Sequence, residues 1–395
     1  MNLLKALRFF LYPLYFLSFL IPKKNNIWVF GSHQNRFSEN SKYLFLYTSK
    51  YHKDIKSIWI TGDKKLSKKL QEDGYISYSR WSFKGLYFSL RAKQYFYNVY
   101  SDDINFYTSG NTTLINLWHG IPLKQIEFDI KKGALKRIFN SPLSFIYAFF
   151  KPYLFISPDY VLSTSKITSK IYASALRVKE SQCLELGYPR TDIFYTNRCD
   201  SIDDNITFFY KKMQNLKDIH NHKIIIYMPT WRSNKTDFLT KALPDLVKLN
   251  TALTTNKITL FIKLHPNEIN LQNNLSNILF IHPKTDIYEL LPLTEFLITD
   301  YSSIYFDYLL LDKEIIFYPF DLENYLNDER ELYFDYHDKT PGTKVYNFEE
   351  LLLVLSNLNS LDFKDSRESI RNEFWSYQDA NASMRIANYF KDKIL

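Results

Sequence analysis

From residue 26 onward, short apolar runs alternate with longer stretches of helical period. In the first half the runs are Ile27–Phe30, Ser57–Thr61, Tyr95–Val99, Leu114–Trp118, Tyr160–Ser163 and Cys183–Leu186. The second half supplies Lys223–Met228, Thr259–Leu264, Ile278–Ile281, Glu295–Thr299 and Glu314–Tyr318. They are rich in β-branched and aromatic residues and continuous rather than alternating, the pattern of strands covered on both faces. With helical periods between them, they predict repeated βαβ units and parallel sheets. The polar stretch Asn197–Asn205 interrupts this pattern and is the natural domain boundary.

At 395 residues the chain exceeds one ordinary domain and suits two. The expected class is α/β, with doubly wound, Rossmann-like domains over 26–198 and 199–395 after a separate segment over 1–25. The last helix is free to pack back on the first domain. Ligands of such sheets bind beyond the carboxyl ends of strands. Two such domains facing a central cleft would therefore place the chemistry there.

The N-terminal segment holds a 13-residue apolar run, Phe9–Ile21, broken by Pro13 and flanked by Lys5, Arg8, Lys23 and Lys24. A spanning helix needs about 20 apolar residues, and no small-residue cleavage site follows. An interfacial anchor is the expectation, against a signal anchor or a buried first helix. A second amphipathic stretch, Lys131–Phe155, begins with Lys131, Lys132, Lys136 and Arg137 and turns strongly apolar. Its two readings are a core helix with a solvated start and a second membrane contact.

Composition narrows the partners. A net charge of +8 asks for an anionic one. No run of five or more like charges occurs, which disfavours a nucleic-acid arm. The basic clusters lie beside apolar runs instead, so an anionic membrane surface is expected, with no nucleic acid. Cys183 and Cys199 suit a reducing compartment and have no metal-ligand spacing to a histidine.

Four segments join a strand end to groups suited to anionic substrates. In Leu117–Lys124 an apolar strand runs into His119, Gly120 lets backbone approach a ligand, and Lys124 adds positive charge. Histidine is the usual proton acceptor near neutrality, although one at a strand end is more often structural. In Tyr227–Arg232 the strand ends in a Pro-Thr turn offering the Thr230 hydroxyl and the Arg232 fork, which suits phosphate. In Phe261–Pro266 a strand delivers Lys263 and His265, which share a face. In Leu297–Asp307, Asp300 or Ser302 would cap a helix whose N-terminus, with Ser302 and Ser303, is a natural diphosphate site. The patterns GxxxxGK(S/T), GxGxxG after a strand and HExxH are missing, so P-loop, nicotinamide and zinc-protease chemistry lose their usual support.

Taken in order, these segments resemble the CDP-glycerol glycerophosphotransferase family, the primases and polymerases of teichoic acid and related capsule synthesis. The resemblance rests on Phe30-Gly31-Ser32, Glu39–Tyr43, the WHGxPLK segment ending at Lys124, and Gly187–Asp192 with Arg190. It continues through PTWR ending at Arg232, Lys263–Pro266, Thr299–Ser303, Phe317-Tyr318, Asp321–Tyr325 and Pro341-Gly342. It implies a GT-B fold with an acceptor-side first domain and a CDP-donor-binding second domain. A hydroxyl of a lipid-linked saccharide or polyol-phosphate polymer would attack the β-phosphorus of CDP-glycerol or CDP-ribitol, and CMP would leave. His119 matches the family's WHG histidine, the implied base, and His265 would stabilise the departing charge. Gly120, Lys124, Arg190, Thr230, Arg232, Lys263, Asp300, Ser302 and Ser303 would bind substrate. Ile121 stands where many relatives carry Thr.

This chemistry needs no cofactor or metal ligand set, and leaves room for a loosely held Mg²⁺. The implied location is peripheral, on the cytoplasmic face of the membrane. The same architecture would serve a glycosyltransferase using a nucleotide sugar. A non-enzymatic lipid- or nucleic-acid-binding protein would suit the basic charge but gives the paired histidine motifs no role.

Overall fold

The computed structural model describes residues 10–132, 135–196, 203–230, 232, 238–264, 275–323, 325 and 331–393. It divides into two compact units. The first comprises Met1–Ile121, Gln125–Tyr195 and Phe374–Leu395, and the second Pro122–Lys124 and Thr196–Glu373. A single cut at 198/199 therefore gives way to a chain that returns to the first unit for its last helix.

The first unit is built on seven strands. They are β1 Lys24–Phe30, β2 Lys56–Thr61, β3 Ser77–Ser79, β4 Ala92–Tyr97, β5 Thr113–Asn116, β6 Tyr160–Ser163 and β7 Cys183–Glu185. Their order is β3-β2-β1-β4-β5-β6-β7, with every pairing parallel. Trp28, Val29, Phe30, Tyr95 and Phe96 are fully buried, as expected where helices cover both faces of a sheet. The chain winds outward from β1 in one direction and from β4 in the other, so the switch point lies between them. Gly31, just past β1, has no room for a side chain there: a Cβ would meet the Asp103 carbonyl oxygen at 2.8 Å.

The second unit carries β8 Lys223–Met228, β9 Ile258–Lys263, β10 Ile278–Ile281, β11 Phe296–Thr299, β12 Glu314–Phe317 and β13 Thr343–Lys344. The order is β10-β9-β8-β11-β12-β13, again all parallel. Its switch point lies between β8 and β11. Ile224, Ile225 and Ile226 are fully buried, and Ile225 packs in a core that also takes Leu249 and Leu253 from the helix Leu246–Thr255.

The last helix, Ala382–Asp392, belongs to the first unit for identifiable reasons. The Asp192 carboxylate accepts the N–H groups of Ala382 and Ser383 at 2.9 and 2.8 Å. Phe390 is buried, with its ring 5.5 Å from those of Phe96 and Tyr160. Burial drives the Asp192 carboxyl up to about 6, against these hydrogen bonds and the Arg385 charge.

Near the N-terminus a short helix, Tyr12–Ser18, leaves Phe10, Phe16, Leu17, Phe19 and Leu20 exposed. It rests on the helix Ser144–Phe150 through a Tyr12 hydroxyl bond to the Phe149 carbonyl at 2.5 Å. Phe145, Ile146, Phe149 and Phe150 of that helix are exposed as well. No helix among the described residues is long and apolar enough to cross a membrane.

Candidate active site

In the first unit the chemistry-bearing feature is the turn after β5. The strand was expected to reach Trp118 but stops at Asn116, whose side-chain oxygen accepts the Trp118 N–H at 2.8 Å. Trp118 then adopts φ 52° and Gly120 φ 139°. The second value favours glycine and explains Gly120.

Four successive carbonyls of this turn are held by side chains from distant elements. Asn40 Nδ2 donates to Leu117 O at 3.0 Å and to Trp118 O at 2.9 Å. The Arg190 guanidinium donates to His119 O at 2.9 Å, and the Tyr172 hydroxyl donates to Gly120 O at 3.0 Å. Buried carbonyls lacking such partners would each cost about 1–3 kcal/mol, so these bonds fix the turn. The part left outward is the His119 imidazole, exposed and stacked on the Trp118 ring with centroids 4.7 Å apart.

The clamps are themselves held. Asn40 sits in the first turn of the helix Glu39–Tyr51, and its side-chain oxygen accepts the Arg190 N–H at 3.2 Å. Arg190 is buried and its guanidinium pairs with the Glu39 carboxylate. The Tyr172 and Tyr188 hydroxyls bond to each other at 2.5 Å. Arg190 was expected among substrate contacts; here its buried fork is shared by Glu39 and the His119 carbonyl.

In the second unit, the PTWR and TDYSS segments meet at the switch point between β8 and β11. Thr299 Oγ1 donates to Met228 O at 2.7 Å, tying the two strand ends together. Asp300, fully buried, accepts the N–H groups of Thr230 at 2.8 Å and Tyr301 at 2.6 Å. Its other oxygen takes the Arg232 guanidinium at 2.6 Å, and Asp321 takes the same guanidinium at 2.8 and 3.3 Å. Phe238 lies under the Arg232 fork, 4.3 Å from its centre.

This arrangement corrects two expectations. Asp300 does not cap a helix, because a buried carboxylate beside a guanidinium gains more from that charged partner than from a helix N-terminus. The following helix is only Ile304–Tyr308, and the Ser303 side chain makes no capping bond. The Arg232 fork, 3% exposed, is occupied by two carboxylates rather than open to a phosphate. Although burial opposes it, those carboxylates hold the guanidinium more firmly charged than usual. Burial, helped by Asp321 and Asp300, also pushes the Tyr301 phenol far up, so it stays a neutral donor to Asp321 at 3.2 Å.

Hydroxyls remain around this scaffold. Ser302 and Ser303 are half-buried, and their side chains have no hydrogen-bond partner among the described residues. The Thr230 hydroxyl is likewise buried and unpaired among them. Lys263, at the end of β9, donates to Pro283 O at 3.1 Å. His265 lies outside the described residues. Lys124, grouped with the second unit, donates to the Tyr325 hydroxyl at 3.0 Å. The Tyr325 ring stacks on Tyr301 with centroids 4.0 Å apart. No cluster of His, Cys, Asp or Glu suited to a metal ion occurs among the described residues.

Sequence reasoning singled out the ends of these strands but not their supports. Asn40, Glu39 and Asp321 lie within the stretches that carry the family resemblance, yet nothing local assigns them a role. Tyr172 and Asn116 had no signal at all, since their task depends on contacts made only in the folded chain.

The teichoic acid glycerol-phosphate transferase of Staphylococcus aureus (strain NCTC 8325 / PS 47) is 28% identical over 374 residues, covering 93% of this chain and 92% of its own length. The teichoic acid poly(glycerol phosphate) polymerase of Bacillus spizizenii is 27% identical over 389 residues, with the same coverages of 93% and 92%. The solved structure of the wall teichoic acid polymerase TagF matches the fold with a TM-score of 0.76 at 23% identity, over 99% of this chain and 96% of that one. The model of the CDP-glycerol:poly(glycerophosphate) glycerophosphotransferase family matches residues 13–391, and this chain belongs to that family.

Proposed function

We propose that the protein, a two-domain transferase of the GT-B type, moves a glycerol-phosphate unit from CDP-glycerol to a hydroxyl of a lipid-linked or polymeric cell-surface glycan. The acceptor oxygen bonds to the β-phosphorus, the bond from that phosphorus to the CMP oxygen breaks, and the acceptor proton passes to His119. A positioned base contributes about 10²–10⁴-fold to such a step. The rest of the acceleration comes from holding the reactants and neutralising charge.

The observation that supports this reading most is the His119 turn: four clamped carbonyls under one outward imidazole. Histidines that serve only the core are buried, whereas here the backbone is clamped and the ring stands exposed. Ser302, Ser303 and the Thr230 hydroxyl line the switch point of the second unit and suit a diphosphate, with Lys263 and His265 supplying positive charge and proton donors. Asp300, Arg232 and Asp321 hold that loop pair in place, and Arg190 and Asn40 do so for His119.

The same reading includes attachment to an anionic bilayer at the cytoplasmic face. Its support is the joined pair of helices, Tyr12–Ser18 and Ser144–Phe150, with their exposed apolar side chains and the basic residues Lys131, Lys132, Lys136 and Arg137 in the preceding stretch.

The test is product analysis with membranes as acceptor and CDP-glycerol, CDP-ribitol or a nucleotide sugar as donor. CMP release with glycerol phosphate appearing on the acceptor is expected. Release of nucleotide from the sugar donor alone would replace this reading with a glycosyltransferase.

A further inference from the structure

The carboxyl edge of the first unit's sheet carries basic side chains away from His119, and they are arranged in strand order. Moving from β5, which bears His119, the order β5-β4-β1-β2-β3 passes the loop after β1 and then the helices after β2 and β3. The loop after β1 holds His33, which is exposed, and Arg36, which has no carboxylate partner among the described residues. Its backbone is strained, with φ 56° at Gln34 and 58° at Asn35, and such strain concentrates at functional loops.

The helix after β2, Lys64–Glu72, places Lys64, Lys68 and Gln71 along one face. Lys84 opens the way into the helix after β3, Phe83–Arg91. With Tyr78 and Ser82 these side chains line a groove of about 440 Å³. Lys64 has no acidic partner among the described residues, Lys84 lies 5.8 Å from the Tyr78 ring, and Lys68 makes only an exposed pair with Glu72 at 3.5 Å.

Two of the nearby carboxylates are engaged elsewhere, while Glu72 stays exposed beside Lys68. Asp63 accepts the N–H groups of Lys65 and Leu66 at the helix start. Asp103 is buried, with one oxygen taken by the N–H groups of Asn98 and Val99 and the other 3.4 Å from His33 Nδ1.

Resting on the function proposed above, we infer that this edge is the track for a polyanionic acceptor, a phosphodiester chain of polyol-phosphate repeats. Its terminal hydroxyl lies at His119, and its earlier phosphates run past Arg36 and His33 into the groove lined by Lys64, Lys68 and Lys84. The lengths agree. Four steps between neighbouring strands span roughly 19 Å at the usual spacing. A glycerol-phosphate repeat of six backbone bonds extends roughly 7 Å, so the edge holds two to three repeats at about one charge each. The groove therefore suits a chain already several units long and contributes nothing to the first unit added.

Exposed aromatic side chains, Phe83 (87% exposed) in the groove's lining and Trp81 next in sequence to the lining residue Ser82, make an anionic bilayer the rival occupant. The experiment uses the whole protein with every lysine of the groove replaced together, Lys64→Gln, Lys68→Gln and Lys84→Gln. All are exposed and none belongs to the catalytic machinery. Acceptor KM is measured for a single-repeat acceptor and for a long oligo(glycerol phosphate), each lipid-linked. The expected result is an increase of about tenfold for the long acceptor with a weaker salt dependence. The single-repeat KM, the CDP-glycerol KM and kcat stay unchanged.

An unchanged KM for the long acceptor would overturn the inference. So would an equal loss for both lengths that follows weakened binding to phosphatidylglycerol vesicles, which would give the groove to the membrane. If the wild-type protein released no CMP from CDP-glycerol, the proposed function itself would fail. Direct binding of free oligo(glycerol phosphate) to wild-type and variant protein would then still decide the groove's occupant.

Discussion

The His119 turn of the first unit and the Thr230–Ser303 junction of the second are built at equivalent places, the carboxyl ends of parallel strands, and each contains a buried arginine paired with carboxylate, yet only the first presents an ionisable side chain to solvent. In the first, an imidazole stands outside, and amide and hydroxyl bonds together with the buried Arg190 guanidinium, itself paired with Glu39, secure the backbone beneath it. In the second, the charged groups are inside, with Arg232 between Asp300 and Asp321, and the hydroxyls around them are half-buried at Ser302 and Ser303 and buried at Thr230. The difference teaches that a charged residue at a strand end is not by itself a ligand-binding residue. In the function proposed above, a base must meet the substrate, so the fold holds its backbone. A loop that in the same proposal keeps its shape beside a highly charged donor is better held by a buried ion pair than by exposed contacts.

Substitutions can break this contrast. The largest effect is expected from His119→Ala, which should lower kcat by about 10²–10⁴-fold and leave Tm unchanged, because the ring is exposed. Arg232→Met should do the reverse in emphasis. It strands two buried carboxylates and should destabilise the fold by about 3–5 kcal/mol, read by denaturant unfolding.

Asp192 gives the contrast a pH signature. Its folded value of about 6 lies above the ordinary carboxyl value of 3.8, so the folded state holds this proton more tightly than the unfolded chain. Its contribution is therefore most favourable below about pH 4, declines between about pH 4 and 6, and is flat above, by on the order of 3 kcal/mol in all. Wild-type minus Asp192→Asn stability, measured across that window, should show this slope. Smallest of all, Ser302→Ala and Ser303→Ala should each raise the CDP-glycerol KM by about fivefold, the worth of one modest hydrogen bond, without altering Tm.

Most strands were legible because each is a continuous apolar run that must be covered on both faces. Tyr160–Ser163, Lys223–Met228 and Ile278–Ile281 occur as the pattern predicts. The two strands that the pattern missed, Ser77–Ser79 and Thr343–Lys344, are short edge strands whose residues need not be apolar. His119 and Gly120 were visible from the strand that delivers them. The roles of Asn40 and Arg190 were not, because the carbonyls they hold lie 71 to 78 residues away in sequence. The same holds for Asp321, which is 89 residues from the guanidinium it shares. Where charge ends up inside, local pattern describes the residue and leaves its orientation open, since orientation is decided by partners that only the fold assembles.

The central claim is that the clamps act through His119 by fixing its turn. A double-mutant cycle on the rate of CMP release from CDP-glycerol tests it most directly, with His119→Ala, Asn40→Ala and the pair. Asn40→Ala alone should slow turnover, and in the His119→Ala background it should change the rate no further. Independent, multiplying losses from the two substitutions would contradict the account.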